Sequence, residues 1–115
     1  MKNMFVLAHL GINTPAPEEA KKLAELLSLL FNLTPRHGQK SEFAGSYFEC
    51  MKTPFLGTNG HVAMATPDLD AAVEELKEKG FSFNMSTATY DEAGKLKNVY
   101  LDGEFGGFAI HILQA

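Results

Sequence analysis

The sequence predicts an α+β domain in which two copies of a strand–helix–three-strand unit build one eight-stranded curved sheet. Two observations carry this. The order of turn, strand and helix signals found in the first half starts again at Gly60, and His9 and His61 open the two halves 52 residues apart. In addition, four polar residues, His9, Glu49, His61 and His111, stand inside otherwise apolar strand segments at corresponding places in the two halves.

Residues 5–12 are apolar on both alternating faces except at His9, the pattern of a central strand covered on both sides. Thr14-Pro15-Ala16-Pro17 breaks it. Ala20, Leu23, Ala24, Leu27, Leu30 and Phe31 then recur at spacings of three and four, with Glu18, Glu19, Lys21, Lys22 and Glu25 elsewhere. That is an amphipathic helix opened by proline in its first turn. Residues 35–40, 41–45 and 47–51 are too short for helices and are separated by turn formers, so they read as three strands.

The stretch Thr53-Pro54-Phe55-Leu56-Gly57-Thr58-Asn59-Gly60 is the strongest punctuation in the chain. After it, residues 60–65 read as a strand. Asp68 is placed to cap a helix with Leu69, Ala72, Val73 and Leu76 on one face, and Gly80 to stop it. Strands follow near 81–84, 96–101 and 108–113. His9 precedes Thr14-Pro15, and His61 precedes Thr66-Pro67, by the same interval. The same offset carries Glu49 to position 101, whereas the matching strand position is His111, and the excess is assigned to a hairpin loop at 85–94. The expected organisation is a single domain, residues 1–115, of two modules, 1–56 and 57–115.

Composition narrows the function classes. The chain has 115 residues, enough for one core and too few for a second domain, and 45% of them are hydrophobic. A net charge of -4 with no Lys/Arg cluster disfavours nucleic acid and anionic membranes as partners. The single cysteine excludes an internal disulfide, and the first residues lack the features of a secretory signal. The expected compartment is the cytoplasm.

Side chains alternate between strand faces, and the neighbours of the four polar residues are apolar: Ala8 and Leu10, Phe48 and Cys50, Ile110 and Ile112. His9, Glu49 and His111 therefore point away from the helix-packing face, and with His61 they converge if the sheet curves around a shared cavity. Imidazoles with one carboxylate are ligand types for zinc, nickel, iron or manganese. Tyr47 and Met51 share the face of Glu49 and are expected to line the cavity. His37 lacks a counterpart and reads as a solvated surface group. Cys50 reads as a packing residue, and residues 103–107 as a hairpin, since no helix follows to cradle a phosphate.

With these residues placed, the chain resembles the vicinal oxygen chelate superfamily, which includes glyoxalase I, bleomycin-resistance proteins and related dioxygenases. His9-Leu10-Gly11-Ile12 and Gly60-His61-Val62-Ala63 open the modules; Tyr47-Phe48-Glu49-Cys50 and Gly107-Phe108-Ala109-Ile110-His111-Ile112-Leu113 close them. The resemblance implies that His9, Glu49, His61 and His111 occupy the family's four metal-ligand positions. It departs at the last, where the metal-dependent members usually carry glutamate. The segments around Glu49, His61 and His111 also look like a subgroup associated with 2-keto-3-deoxy-6-phosphogluconate aldolase, which implies a 2-oxo acid or sugar-acid-like substrate and a possible association with such an aldolase.

The function expected from this is a metal-dependent lyase or isomerase. It would chelate substrate oxygens on a divalent metal, zinc first, with Glu49 or His111 moving the proton. The competing readings are a metal-free small-molecule binding protein and an accessory domain of an aldolase. A homodimer is expected, with Leu26, Leu29 and Leu33 leaving apolar surface beyond the helix stripe.

Overall fold

The computed structural model describes residues 2–115. The first half contributes β1 (Val6–Asn13), α1 (Pro17–Phe31), β2 (Pro35–His37), β3 (Ser41–Ala44) and β4 (Phe48–Met51). The second contributes β5 (Gly60–Thr66), α2 (Leu69–Glu78), β6 (Phe83–Tyr90), β7 (Leu96–Leu101) and β8 (Phe108–Gln114). All eight strands form one sheet in the order β2-β3-β4-β1-β5-β8-β7-β6. Within each half the first and last strands pair in parallel, β1 with β4 and β5 with β8. The halves meet through one antiparallel pair, β1 with β5.

Helix α1 starts with proline and has Glu18 and Glu19 in its first turn, where the exposed N–H groups favour negative charge. It ends at Asn32, whose φ of 56° reverses the chain. Its buried line is Ala20, Ala24 and Ser28, packed through the alanines on Ala44 and Cys50 of the sheet. Leu30 and Phe31, expected on the buried face, are instead exposed. The small residues let the helix lie close to the sheet with Leu23 and Leu27 packed beside them, and Leu30 and Phe31 at its end fall outside this contact. Leu33, expected at the surface, packs against this same core, while Leu26 and Leu29 are exposed.

Helix α2 is capped as its sequence suggests: Ala71 N donates to Asp68 Oδ1 at 3.1 Å. Gly80, at φ 97°, lets Phe81 N donate back to Leu76 O at 3.0 Å. Leu69 and Val73 bury against Val99, Leu101 and Ile112.

The loop expected at 85–94 is mostly strand. β6 runs on to Tyr90, and a turn held by Asp91 Oδ1, which accepts from Ala93 N and Lys95 N at 2.9 Å, reverses the chain. Thr87 and Thr89 suit extended backbone. The Ser86 and Thr87 hydroxyls fold back onto Asn84, each at 2.6 Å, where the β6–β7 register shifts. The extra residues therefore lengthen a hairpin and are absorbed by a bulge.

The central register arranges the site. Gly11 lies opposite Glu49 on one side and His61 on the other, and Ala63 lies opposite both His9 and His111. Two rows thus cross the middle of the sheet, Glu49–Gly11–His61 and His9–Ala63–His111, each with a small residue at its centre.

Candidate metal centre

The two rows bring His9, Glu49, His61 and His111 together. Ligand-type atoms of His9, His61 and His111 all lie within 4.8 Å of one another. His9 Nε2 is 3.3 Å from His61 Nε2, and Glu49 Oε1 is 3.0 Å from His61 Nε2 and 3.3 Å from His9 Nε2. Three lone-pair atoms this close repel unless a proton or a cation sits among them. Ligands at 2.0–2.1 Å around a tetrahedral zinc ion stand about 3.3 Å apart, which is the spacing found here.

Neighbouring residues orient the donors. His111 Nδ1 lies 2.6 Å from Asn98 Oδ1, an atom that only accepts, so the proton resides on Nδ1 and Nε2 carries the lone pair. That Nε2 is buried without a hydrogen-bond partner among the described residues, as is His61 Nδ1. A buried imidazole nitrogen without a partner, as at His111 Nε2, fits a metal ligand. Ser41 Oγ donates to Glu49 Oε2 at 2.8 Å, leaving Oε1 toward the histidines. His61 lies over Gly11: a Cβ on Gly11 would stand 2.0 Å from His61 Cε1, 2.3 Å from Nδ1 and 2.4 Å from Nε2.

The electrostatics suit metal ligation. Hydrogen bonds from His61 and His9 hold the Glu49 carboxyl well below the usual carboxylate range, against the cost of burial. Burial, reinforced by His61 and His9, lowers His111 to about 3, so its imidazole is neutral at physiological pH. Tyr100 stacks on His111, with ring centroids 4.5 Å apart. Burial and the Glu49 charge push its phenol up to about 12, which keeps it protonated.

These side chains form the base of a chamber of about 280 Å³ whose walls are Lys40, Met51, Phe55 and Tyr100. Met51 is on this wall. Tyr47 is exposed, precedes β4, and is not among the lining residues. Sequence reasoning missed Lys40, Phe55 and Tyr100, as well as Ser41, Asn98 and Gly11. Tyr100 and Asn98 were within reach of the parity argument, because Tyr100 lies opposite His111 across β7 and β8. Lys40 and Phe55 come from turns, where periodicity carries no information. His37 lies away from the centre. Its ring is exposed, as expected of a surface group, yet its Nδ1 pairs with the buried Glu42, which Lys52 Nζ also approaches at 3.4 Å. Cys50 is buried against α1, and burial raises its thiol to about 11.

No protein-family model matches the chain, and no curated protein matches it in sequence. Solved structures do match in shape. A selenomethionyl methylmalonyl-CoA epimerase superposes with a TM-score of 0.63 at 16% identity, covering 98% of this chain and 97% of that one. The methylmalonyl-CoA epimerase of Mycobacterium tuberculosis gives 0.60 at 18% identity, over 93% of this chain and 85% of the other. An epimerase complexed with methylmalonyl-CoA and NH4+ gives 0.57 at 14%, over 93% and 92%. At these identities the likeness establishes the fold alone. Two βαβββ modules sharing one eight-stranded curved sheet, the vicinal oxygen chelate fold, is the architecture that this chain has in common with methylmalonyl-CoA epimerases.

Proposed function

We propose that the protein is a metal-dependent isomerase or lyase acting on a small 2-oxo acid or sugar-acid-like substrate. The observation that carries this is the convergence of His9, Glu49, His61 and His111 at the floor of one chamber, with the His111 Nε2 lone pair buried and unpartnered. Each module, 1–56 and 57–115, contributes two of the four ligands. The substrate class follows from the subgroup resemblance. Isomerase chemistry gains support from the epimerase neighbours, one of which is bound to methylmalonyl-CoA.

A divalent ion on these four residues, zinc by its ligand set, would act as a Lewis acid on a substrate oxygen and acidify the adjacent C–H. The chain supplies the rest. Met51, Phe55 and Tyr100 exclude water and flank the substrate. Glu49 or His111, on leaving the metal, would accept the proton from the carbon next to the carbonyl. Returning that proton to the other face or the next carbon gives an isomer, and loss of a leaving group gives a lyase product.

Metal analysis of protein purified without chelator tests the reading. About one ion per chain, lost on His61→Gln, is expected. A transition-metal content below about a tenth of an equivalent, with no uptake on adding zinc, nickel, iron or manganese, would refute it.

The protein is further proposed to be a cytoplasmic homodimer. No helix among the described residues is long and apolar enough to cross a membrane. Leu26, Leu29, Leu30 and Phe31 leave one side of α1 apolar and exposed, a surface that a second copy would cover. Sedimentation is expected to give a dimer, and Leu29→Glu a monomer. A wild-type monomer at tens of micromolar, roughly the range in which a standard-size interface holds, would overturn this assignment.

A further inference from the structure

Lys40 stands apart from the other groups at the chamber wall. It sits in the tight turn between β2 and β3, where Gly38 N donates to Ser41 O at 2.9 Å and Lys52 N donates to Lys40 O at 3.0 Å. Both bonds fix the backbone from which its side chain leaves. Among the described residues it is the one lysine lining the chamber that holds the four ligands. Among the described residues no carboxylate lies within salt-bridge distance of its ammonium group, whereas the nearby Lys52 is paired with Glu42. The other walls, Met51, Phe55 and Tyr100, offer it no countercharge. Among the described residues Glu49 is the only carboxylate lining the chamber, and it is already engaged by His9, His61 and Ser41.

Lys40, Met51 and Phe55 also belong to a second chamber of about 480 Å³, which continues past Gln39, Lys52, Thr53 and Pro54. The three shared residues form the threshold between the two spaces. Charge counting then sets the ligand class. A divalent ion held by one carboxylate and three imidazoles would carry a net charge near +1, and Lys40 at the rim makes the chamber more positive still.

We propose that Lys40 is the anion anchor of the site. It pairs with a carboxylate of the substrate while that substrate's other oxygens reach the ligand cluster, and the threshold lets a longer molecule extend into the second chamber. The proposal rests on the centre described under the proposed function and assigns its substrate class: an organic acid with an anionic group set apart from the reacting carbonyl.

Malonate, which presents two carboxylates, is the probe. Wild type, Lys40→Met, Lys40→Arg and the remote control Lys95→Met are each titrated calorimetrically with malonate, with and without one equivalent of zinc, and zinc content is measured separately. Lys40→Met is expected to weaken malonate at least about tenfold while leaving zinc content unchanged. Lys40→Arg should restore most of the affinity, and Lys95→Met should match wild type. Equal malonate affinity in wild type and Lys40→Met, or no malonate binding to wild type, overturns the anchor whatever the zinc content. Protein that takes up no zinc yet loses malonate on Lys40→Met overturns the metal centre and leaves the anchor standing.

Discussion

Gly11→Ala separates the metal centre from ordinary packing more sharply than replacing a ligand does, because it changes the chemistry of no donor residue. Gly11 has no positive φ, so alanine is conformationally allowed there and the effect is purely steric. A Cβ would stand 2.0 to 2.4 Å from three atoms of the His61 ring. Carbon–carbon contacts are comfortable at about 3.5 Å or more, so the ring must withdraw by roughly 1 Å or more. Metal sites hold their ligands to within about 0.2 Å, so a shift of that size removes His61 as a donor. The expected result is a loss of zinc affinity of about a hundredfold or more, with overpacking costing about 1–3 kcal/mol of stability. Competition with a chromophoric chelator reads the first, and urea denaturation of the metal-free protein reads the second. Ala63→Gly, at the matching place in the other row, removes a methyl group and should keep zinc at a cost of about 1 kcal/mol. Undiminished zinc affinity in Gly11→Ala would refute the claim that this glycine seats the ring of a ligand.

Three further predictions follow from the same geometry. His9→Gln and His61→Gln should each abolish the rise in melting temperature on adding zinc, while His37→Gln should keep it; thermal melts with and without zinc decide the matter, and a rise that persists in all three would count against the site. Asn98→Ala removes the acceptor that fixes the His111 tautomer, so zinc affinity should fall about tenfold to a hundredfold, as read by the same chelator competition. Stability should fall on acidification even without metal. His111 titrates near 3 when folded but at about 6.5 when unfolded, so between these values the unfolded chain binds more protons and the folded state loses ground as pH drops. Glu49, also lowered, acts in the same direction at more acid pH. Urea midpoints at pH 7 and pH 4.5 measure this, and a higher midpoint at pH 4.5 would contradict the buried neutral imidazole.

Legibility from sequence tracked local physics. The Asp68 cap and the Gly80 stop are short-range signals, the repeat is a comparison of two such local patterns, and the structure places helices and strands accordingly. The common face of His9, Glu49 and His111 follows from strand alternation alone, because a strand has only two faces. The apolar spacing of α1 gives its buried face at Ala20, Leu23, Ala24 and Leu27 but not at its C-terminal end, where Ser28 is buried and Leu30 and Phe31 are exposed. The extension of β6 was hidden because Ser and Thr read as loop formers, although their hydroxyls here stabilise a bulge. Lys40 and Phe55 were out of reach because turns carry them to the chamber through space.

Among the described residues the β1–β5 pair is the only backbone ladder between the halves, and each row of donors takes one residue from either side of it. Glu49 and His9 move with β1 and β4, and His61 and His111 move with β5 and β8. A slip of this pair by two residues would preserve every inward-facing apolar side chain yet displace one set of donors from the other by about 7 Å. Hydrophobic burial tolerates such a slip, but coordination does not. A bound ion would therefore act as a gauge of alignment, selecting from the registers that the core permits the single one in which the two halves are correctly mated.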